Sequence, residues 1–136
     1  EERKKLETII KKKKMKNKIY LFGYVDNVYS FFDKSEIFVL SSLWEEVGFV
    51  IVEAAFCNLF VISTDCPNGP KEFLENGNAG YLFHSNKKNE LKNQIKKFVK
   101  EEKNLKKFKI KAKKNSSNYT LFRHHLSLKK ILSNEK

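Results

Sequence analysis

Two carboxylates in an otherwise apolar stretch are spaced in a way that suits binding chemistry. Residues 41–56 read SSLWEEVGFVIVEAAF, with Glu45 ahead of Gly48 and Glu53 separated from Glu45 by seven residues. If a helix begins at Gly48, the amides of Gly48, Phe49 and Val50 lack intrahelical partners and lie at the positive end of its dipole. Such a terminus holds a phosphate without a cationic side chain, and glycine lets the anion approach closely. Glu53 then lies about 7 to 8 Å further along the axis. That separation suits a carboxylate accepting hydrogen bonds from a ribose hydroxyl pair while a diphosphate sits at the helix end. Glu45, before the helix, is placed to meet whatever the phosphate carries. Both acids also have plainer readings. Glu45 can serve as a dipole-stabilising residue, and Glu53, amid apolar neighbours where an unpaired carboxylate is costly, can pair with backbone or an arginine.

The elements that must position these residues can be read from the hydrophobic pattern. Leu6, Ile9 and Ile10 recur at helical spacing, which predicts an amphipathic helix over residues 1–16. KIYLFG, residues 18–23, predicts a strand, after which Asp26 or Asn27 offers a cap for a helix reaching about Lys34. EIFVLS, residues 36–41, predicts a second strand, followed by a loop over 42–47 and the helix 48–57. FVIST, residues 60–64, predicts a third, which ends in the turn-rich DCPNGP before a short helix at 71–75 and a fourth strand at 80–83. Continuous apolar strands alternating with helices indicate a parallel sheet covered on both faces. The expected architecture is therefore α/β, a Rossmann-like parallel sheet flanked by helices. From Lys87 onward the pattern is helical, with Leu91, Ile95, Phe98 and Val99 on one face, then Leu105, Phe108 and Ile110, then Leu126, Leu128, Ile131 and Leu132. In open sheets of this kind ligands sit beyond the carboxyl ends of the strands, which is where residues 41–48 fall.

The chain has 136 residues, enough for one core, and a net charge of +12 that invites a nucleic-acid reading. Its distribution argues otherwise. Residues 1–18 carry nine Lys/Arg against three Glu, residues 19–86 two Lys against nine acids, and residues 87–136 seventeen Lys/Arg against four Glu. The basic segments are lysine on solvated helical faces without interleaved stacking aromatics, so no nucleic-acid partner is expected. Lysine-rich coding bias accounts for the charge without a function. Peripheral contact with anionic lipid at the inner face of the membrane accounts for it with one. No apolar run is long enough to span a bilayer, and the start lacks a signal-peptide core, so a cytoplasmic location is expected. Cys57 and Cys66 have no CxxC spacing and no neighbouring His, which suggests neither a metal site nor a disulfide framework.

The ordered blocks resemble a known family. Glu45, seven residues, then Glu53 and Ala54 is similar to the paired-glutamate motif of the family 4 retaining glycosyltransferases, which have the GT-B fold. Residues 60–83, FVISTDCPNGPKEFLENGNAGYLF, look like that family's next block, and KIYLFGYVDN and SEIFVLSSLWE fit upstream in order and spacing. The resemblance covers about residues 1–100. It implies one half of a GT-B fold: a partial nucleotide-sugar-binding Rossmann-like domain over 1–100, and a helical extension over 101–136 that packs on it or on an N-terminal acceptor domain. It further implies that Glu53 binds the donor ribose, that Glu45 contacts the transferred sugar near the reacting carbon, and that Gly48, Phe49 and Val50 hold the diphosphate or sugar. Tyr24 and Val25 would lie near the base, with loop packing as the alternative. The implied reaction takes a sugar from a nucleotide-sugar to a glycan or lipid-linked acceptor with no cofactor and no metal. The wording TDCPNGPKE is similar to bacterial members that build surface polysaccharides. Departures are Glu46 and Val47, where the family commonly has glycine and phenylalanine, and Asn58-Leu59-Phe60 in place of Gly-x-Pro. Asn58 tolerates the left-handed conformation of a helix C-cap. The resemblance also places an upstream strand with its Arg and Lys, and the acceptor domain, before residue 1.

Overall fold

Strand β2 (Phe60–Thr64) is buried along its whole length and organises the chain around it. In the computed structural model, which describes residues 1–87, 89–101 and 104–133, it pairs in parallel with β1 (Ile37–Leu40) on one side and β3 (Tyr81–Phe83) on the other. The register sets Ile37 beside Phe60 and Leu40 beside Ser63, then Ile62 beside Tyr81 and Thr64 beside Phe83. Side chains alternate across such a sheet, and the two faces are covered by different helices. Phe60, Ile62, Tyr81 and Phe83 pack with Leu91, Ile95 and Phe98 of α5 (Glu90–Lys100) and with Leu105 of α6 (Leu105–Ser116). On the other face Val61 packs with Ile51, Val52, Ala54 and Ala55 of α3 (Phe49–Phe56), Phe73 of α4 (Pro70–Phe73) and Ala112 of α6. Helix α6 thus contributes to both layers, and a parallel sheet buried on both faces follows.

The expected strands at 36–41, 60–64 and 80–83 are present, as are helices close to 48–57 and 71–75. Helix α3 ends in a Schellman arrangement: Asn58 adopts φ 66°, its amide donates to the Ala55 carbonyl at 2.9 Å, and the Leu59 amide donates to Ala54 at 3.0 Å. Asparagine therefore performs the turn that glycine usually performs.

Residues 18–23 do not form the expected strand. The described sheet has three strands, ordered β1-β2-β3, and the run makes no ladder with the outer edge of β1, which bonds only to β2. It lies instead against α1 (Glu2–Lys12), where the Arg3 guanidinium donates to the Leu21 carbonyl at 2.7 Å, and Phe22 meets Phe31 of α2 (Tyr29–Phe32) edge-on at 4.6 Å between centroids. Helix α1 is shorter than expected and buries none of its residues. Of the two candidate caps, Asn27 acts: its side-chain oxygen accepts from the Tyr29 amide at 3.1 Å.

The apolar faces expected within α5 and α6 are narrower in the structure. Val99 is 71% exposed and turned away from the face shared by Leu91, Ile95 and Phe98, because positions 98 and 99 are about 100° apart on a helix and only Phe98 reaches Phe60. Ile110 is likewise exposed while Leu105 is buried. Helix α7 (Leu121–Ser133) buries none of its residues, and Leu126, Leu128, Ile131 and Leu132 are all exposed. Residues 88, 102–103 and 134–136, which fall within the helical stretch after Lys87 and the extension over 101–136, lie outside the described residues.

The α5 face is tied to β3 by Tyr81, which is buried and donates its phenol to Glu101 at 2.9 Å. Burial, and then the Glu101 bond and charge, push the phenol up to about 12 from its ordinary 10.0. The folded chain holds this proton more tightly than the unfolded chain does. The stabilisation is therefore complete below pH 10 and is lost as pH rises toward 12. A tyrosinate absorbance titration should show one phenol ionising after the rest, and Tyr81→Phe should remove that late step. A single step in the unsubstituted chain would refute the assignment.

Candidate functional site

Gly48 opens the site. It takes a left-handed conformation, φ 68° and ψ 46°, as the residue from which α3 starts, and it is buried. A side chain here would meet only ordinary contacts, with Ile51 at 3.7 Å and Glu45 at 3.9 Å, so the backbone conformation rather than space favours glycine. The first turn of α3 carries no acidic residue, and no side chain caps it. Its amides and the positive end of its dipole are thus neutralised by nothing on their own helix, which is the condition for receiving an anion. Of the three backbone candidates, Gly48 is buried, Phe49 exposed and Val50 half-buried against the core.

Glu45 is half-buried against Gly48, whereas the adjacent Glu46 is exposed. Among the described residues Glu45 makes no hydrogen bond or ion pair, so its carboxylate is uncommitted. Glu53 is half-buried rather than enclosed, and the Tyr29 phenol of α2 faces it. The Glu53 charge, assisted by desolvation and a hydrogen bond, raises the tyrosine above its ordinary pKa. Glu53 is thus only half-buried, with a phenol near it, and burial alone does not require a ligand for it. Tyr29 was not among the residues singled out from sequence. No pattern in its own segment marks it, because the residue it faces lies on a different helix. Of the residues expected near a base, Tyr24 is 90% exposed and Val25 half-buried. The fold brings Glu45, Gly48, Phe49 and Val50 together at the carboxyl end of β1, sets Glu53 one turn into α3, and leaves Tyr24 projecting into solvent.

The segment after β2 adds polar groups at the same edge of the sheet. Asp65 follows β2 and pairs with His84, which follows β3, and the His84 amide donates to Glu90. Among the described residues no group of three or more His, Cys, Asp or Glu could hold a metal ion.

The family model for glycosyl transferases group 1 matches residues 1–115. The chain belongs to that family. An uncharacterised glycosyltransferase of Methanocaldococcus jannaschii is 46% identical over 70 residues, which is 52% of this chain and 17% of the relative. A Campylobacter jejuni enzyme, N-acetylgalactosamine-N,N'-diacetylbacillosaminyl-diphospho-undecaprenol 4-alpha-N-acetylgalactosaminyltransferase, is 29% identical over 105 residues, 77% of this chain and 29% of that one. The chain thus spans less than a third of the length of either relative. Among solved structures, a glycosyltransferase of Rickettsia africae superposes with a TM-score of 0.81 at 25% identity, over 96% of this chain and 36% of its own. HepE of Anabaena, solved in complex with UDP, superposes at 0.84 with 22% identity, over 96% of this chain and 36% of its own. The parallel sheet with its flanking helices is accordingly the Rossmann-like half of a GT-B glycosyltransferase fold.

Proposed function

We propose that this chain supplies the donor side of a glycosyltransferase that moves a sugar from a nucleotide-sugar to a glycan or lipid-linked acceptor, with retention of configuration. The uncapped, acid-free start of α3 behind a left-handed Gly48 carries this reading, because it presents free amides to a diphosphate with Glu45 packed beside it. Gly48, Phe49 and Val50 hold the diphosphate, Glu53 accepts from the ribose hydroxyls, and Glu45 faces the transferred sugar. Val25 and Tyr24 border the base. The chemistry needs no metal or cofactor, since the amides and helix dipole meet the phosphate charge.

The acceptor binds to a separate domain of the complete protein. The C. jejuni relative is named for a diphospho-undecaprenol-linked acceptor, and a Staphylococcus aureus relative for poly(ribitol-phosphate). Both names fit a glycan or lipid-linked acceptor, and with it the reading takes in surface-polysaccharide synthesis on the cytoplasmic side, with the lysine-rich helices against anionic lipid.

Calorimetric titration of the complete protein with UDP tests the donor assignment. Hydrogen bonds to a charged group contribute about 1.5–3 kcal/mol, so Glu53→Ala should weaken UDP binding by roughly 10- to 100-fold. Equal affinity in the two proteins would remove Glu53 from the ribose and sink this reading.

A further inference from the structure

The loop that carries Glu45 is held at both ends by the segment that follows it in sequence. At one end the Thr64 hydroxyl, on a fully buried side chain at the end of β2, donates to the Ser42 carbonyl at 2.7 Å. At the other, Gly69 lies directly on Val47: a β-carbon there would sit 2.3 Å from the Val47 carbonyl oxygen and 2.8 Å from its carbon. Gly69 also has φ 127°, which side-chain-bearing residues rarely adopt. Neither holding group is free to drift. Thr64 is in register with Phe83 of β3, and Gly69 accepts from the Phe73 amide at 2.8 Å, which joins it to helix α4, anchored by its buried Pro70 and Phe73.

Glu45 lies between the two points of attachment. Its own side chain makes no bond among the described residues, so the backbone must set where the carboxylate stands. We infer that Thr64 and Gly69 are positioning residues: together they clamp residues 42–47 and thereby hold Glu45 against the start of α3. The hydroxyl fixes one end by a directed bond, and the missing β-carbon lets the other approach to backbone contact. The clamp itself is a statement about geometry. Its consequence for turnover rests on the function proposed above, and a small misplacement of a reacting group costs up to about 100-fold in rate.

Trp44, the single tryptophan, lies within the clamped loop and is 62% exposed, so its fluorescence anisotropy reports loop motion without any ligand. Thr64→Val keeps the side-chain volume and removes the hydroxyl, Thr64→Ser keeps the hydroxyl, and Gly69→Ala adds the β-carbon. In the complete protein, or in a version whose other tryptophans are replaced, Thr64→Val should at least double the amplitude of fast Trp44 motion. Thr64→Ser should restore it, and turnover of UDP-hexoses with water as acceptor should fall about tenfold in the valine variant at little-changed donor KM. Gly69→Ala, if folded by circular dichroism, should show the same. Unchanged Trp44 anisotropy in a folded Thr64→Val variant overturns the clamp. Increased Trp44 motion with unchanged turnover supports the clamp and instead sinks the role proposed for Glu45.

Discussion

Replacing Phe60 with alanine should lower the unfolding free energy by about 3–5 kcal/mol, the range for removing a buried aromatic ring. Phe60 is 1% exposed, and its ring meets Tyr81 at 4.7 Å, Phe98 at 5.2 Å and Phe108 at 5.8 Å between centroids. It therefore joins β2, β3, α5 and α6, and no neighbour can close the vacated space without one of those elements moving. Stability in domains of this size is commonly 5–15 kcal/mol, so the variant should sit near its unfolding threshold. Phe60→Leu should cost less than half as much, because most of the volume remains. Chemical denaturation of the three proteins checks both claims, and a loss below about 1 kcal/mol for the alanine variant would show that the aromatic cluster is not the keystone of that face. Phe60 is also four residues from Thr64, roughly 13 Å along the strand, so whatever fraction stays folded should keep its donor affinity.

The same strand shows what could be read before the fold was seen. Phe60, Val61 and Ile62 form an uninterrupted apolar run, and that pattern is enough to place a strand buried on both faces and hence a parallel sheet. Asn58 was legible for a similar reason, since few residue types enter the left-handed region and one sits at the expected helix end. Residues 18–23 have as much apolar character but form no strand. Local pattern reports a preference for extended backbone, whereas a strand also needs ladder bonds, and here the run is held against α1 and α2 by the Arg3–Leu21 bond and the Phe22–Phe31 contact and not on the open edge of β1. Val99 failed for a geometric reason, as adjacent helical residues cannot share one narrow stripe.

At the candidate site, the parts that depend on local chain geometry were legible and those that depend on contacts across the fold were not. Gly48 before a helical run marks a helix start, and Glu45 and Glu53 take their places relative to it by simple rise per residue. Nothing in the pattern reveals that Tyr29 faces Glu53, that Thr64 reaches Ser42, or that Gly69 rests on Val47. These contacts join segments separated by 22 or more residues, and their residue types are ordinary for a strand end or a turn. The omission matters for Glu53 above all. Glu53 is half-buried with the Tyr29 phenol near it, so its role depends on measurement where that of Gly48 has geometry.

The two glutamates should separate in kinetics. In the proposed reaction Glu53 touches the nucleotide, which is present in donor, product and transition state alike, so its loss weakens binding without a selective effect on chemistry. Glu45 faces the sugar, where positive charge grows at the anomeric carbon as the bond to the diphosphate breaks. A fixed carboxylate stabilises that charge most in the transition state, and removing a comparable electrostatic group from an active site costs about 100- to 1,000-fold in turnover. Glu45→Gln preserves shape and removes the charge. In the complete protein it should lower the rate of UDP release from UDP-hexoses by about that factor, with water as acceptor, and leave UDP affinity within about twofold. The split depends on UDP having no sugar for Glu45 to contact. If Glu45→Gln instead tightens UDP and leaves turnover at saturating donor intact, Glu45 belongs to the diphosphate end of the site. The helix dipole would then be tempered by an acid beside it, and the plainer reading of that residue as a dipole partner would be the right one.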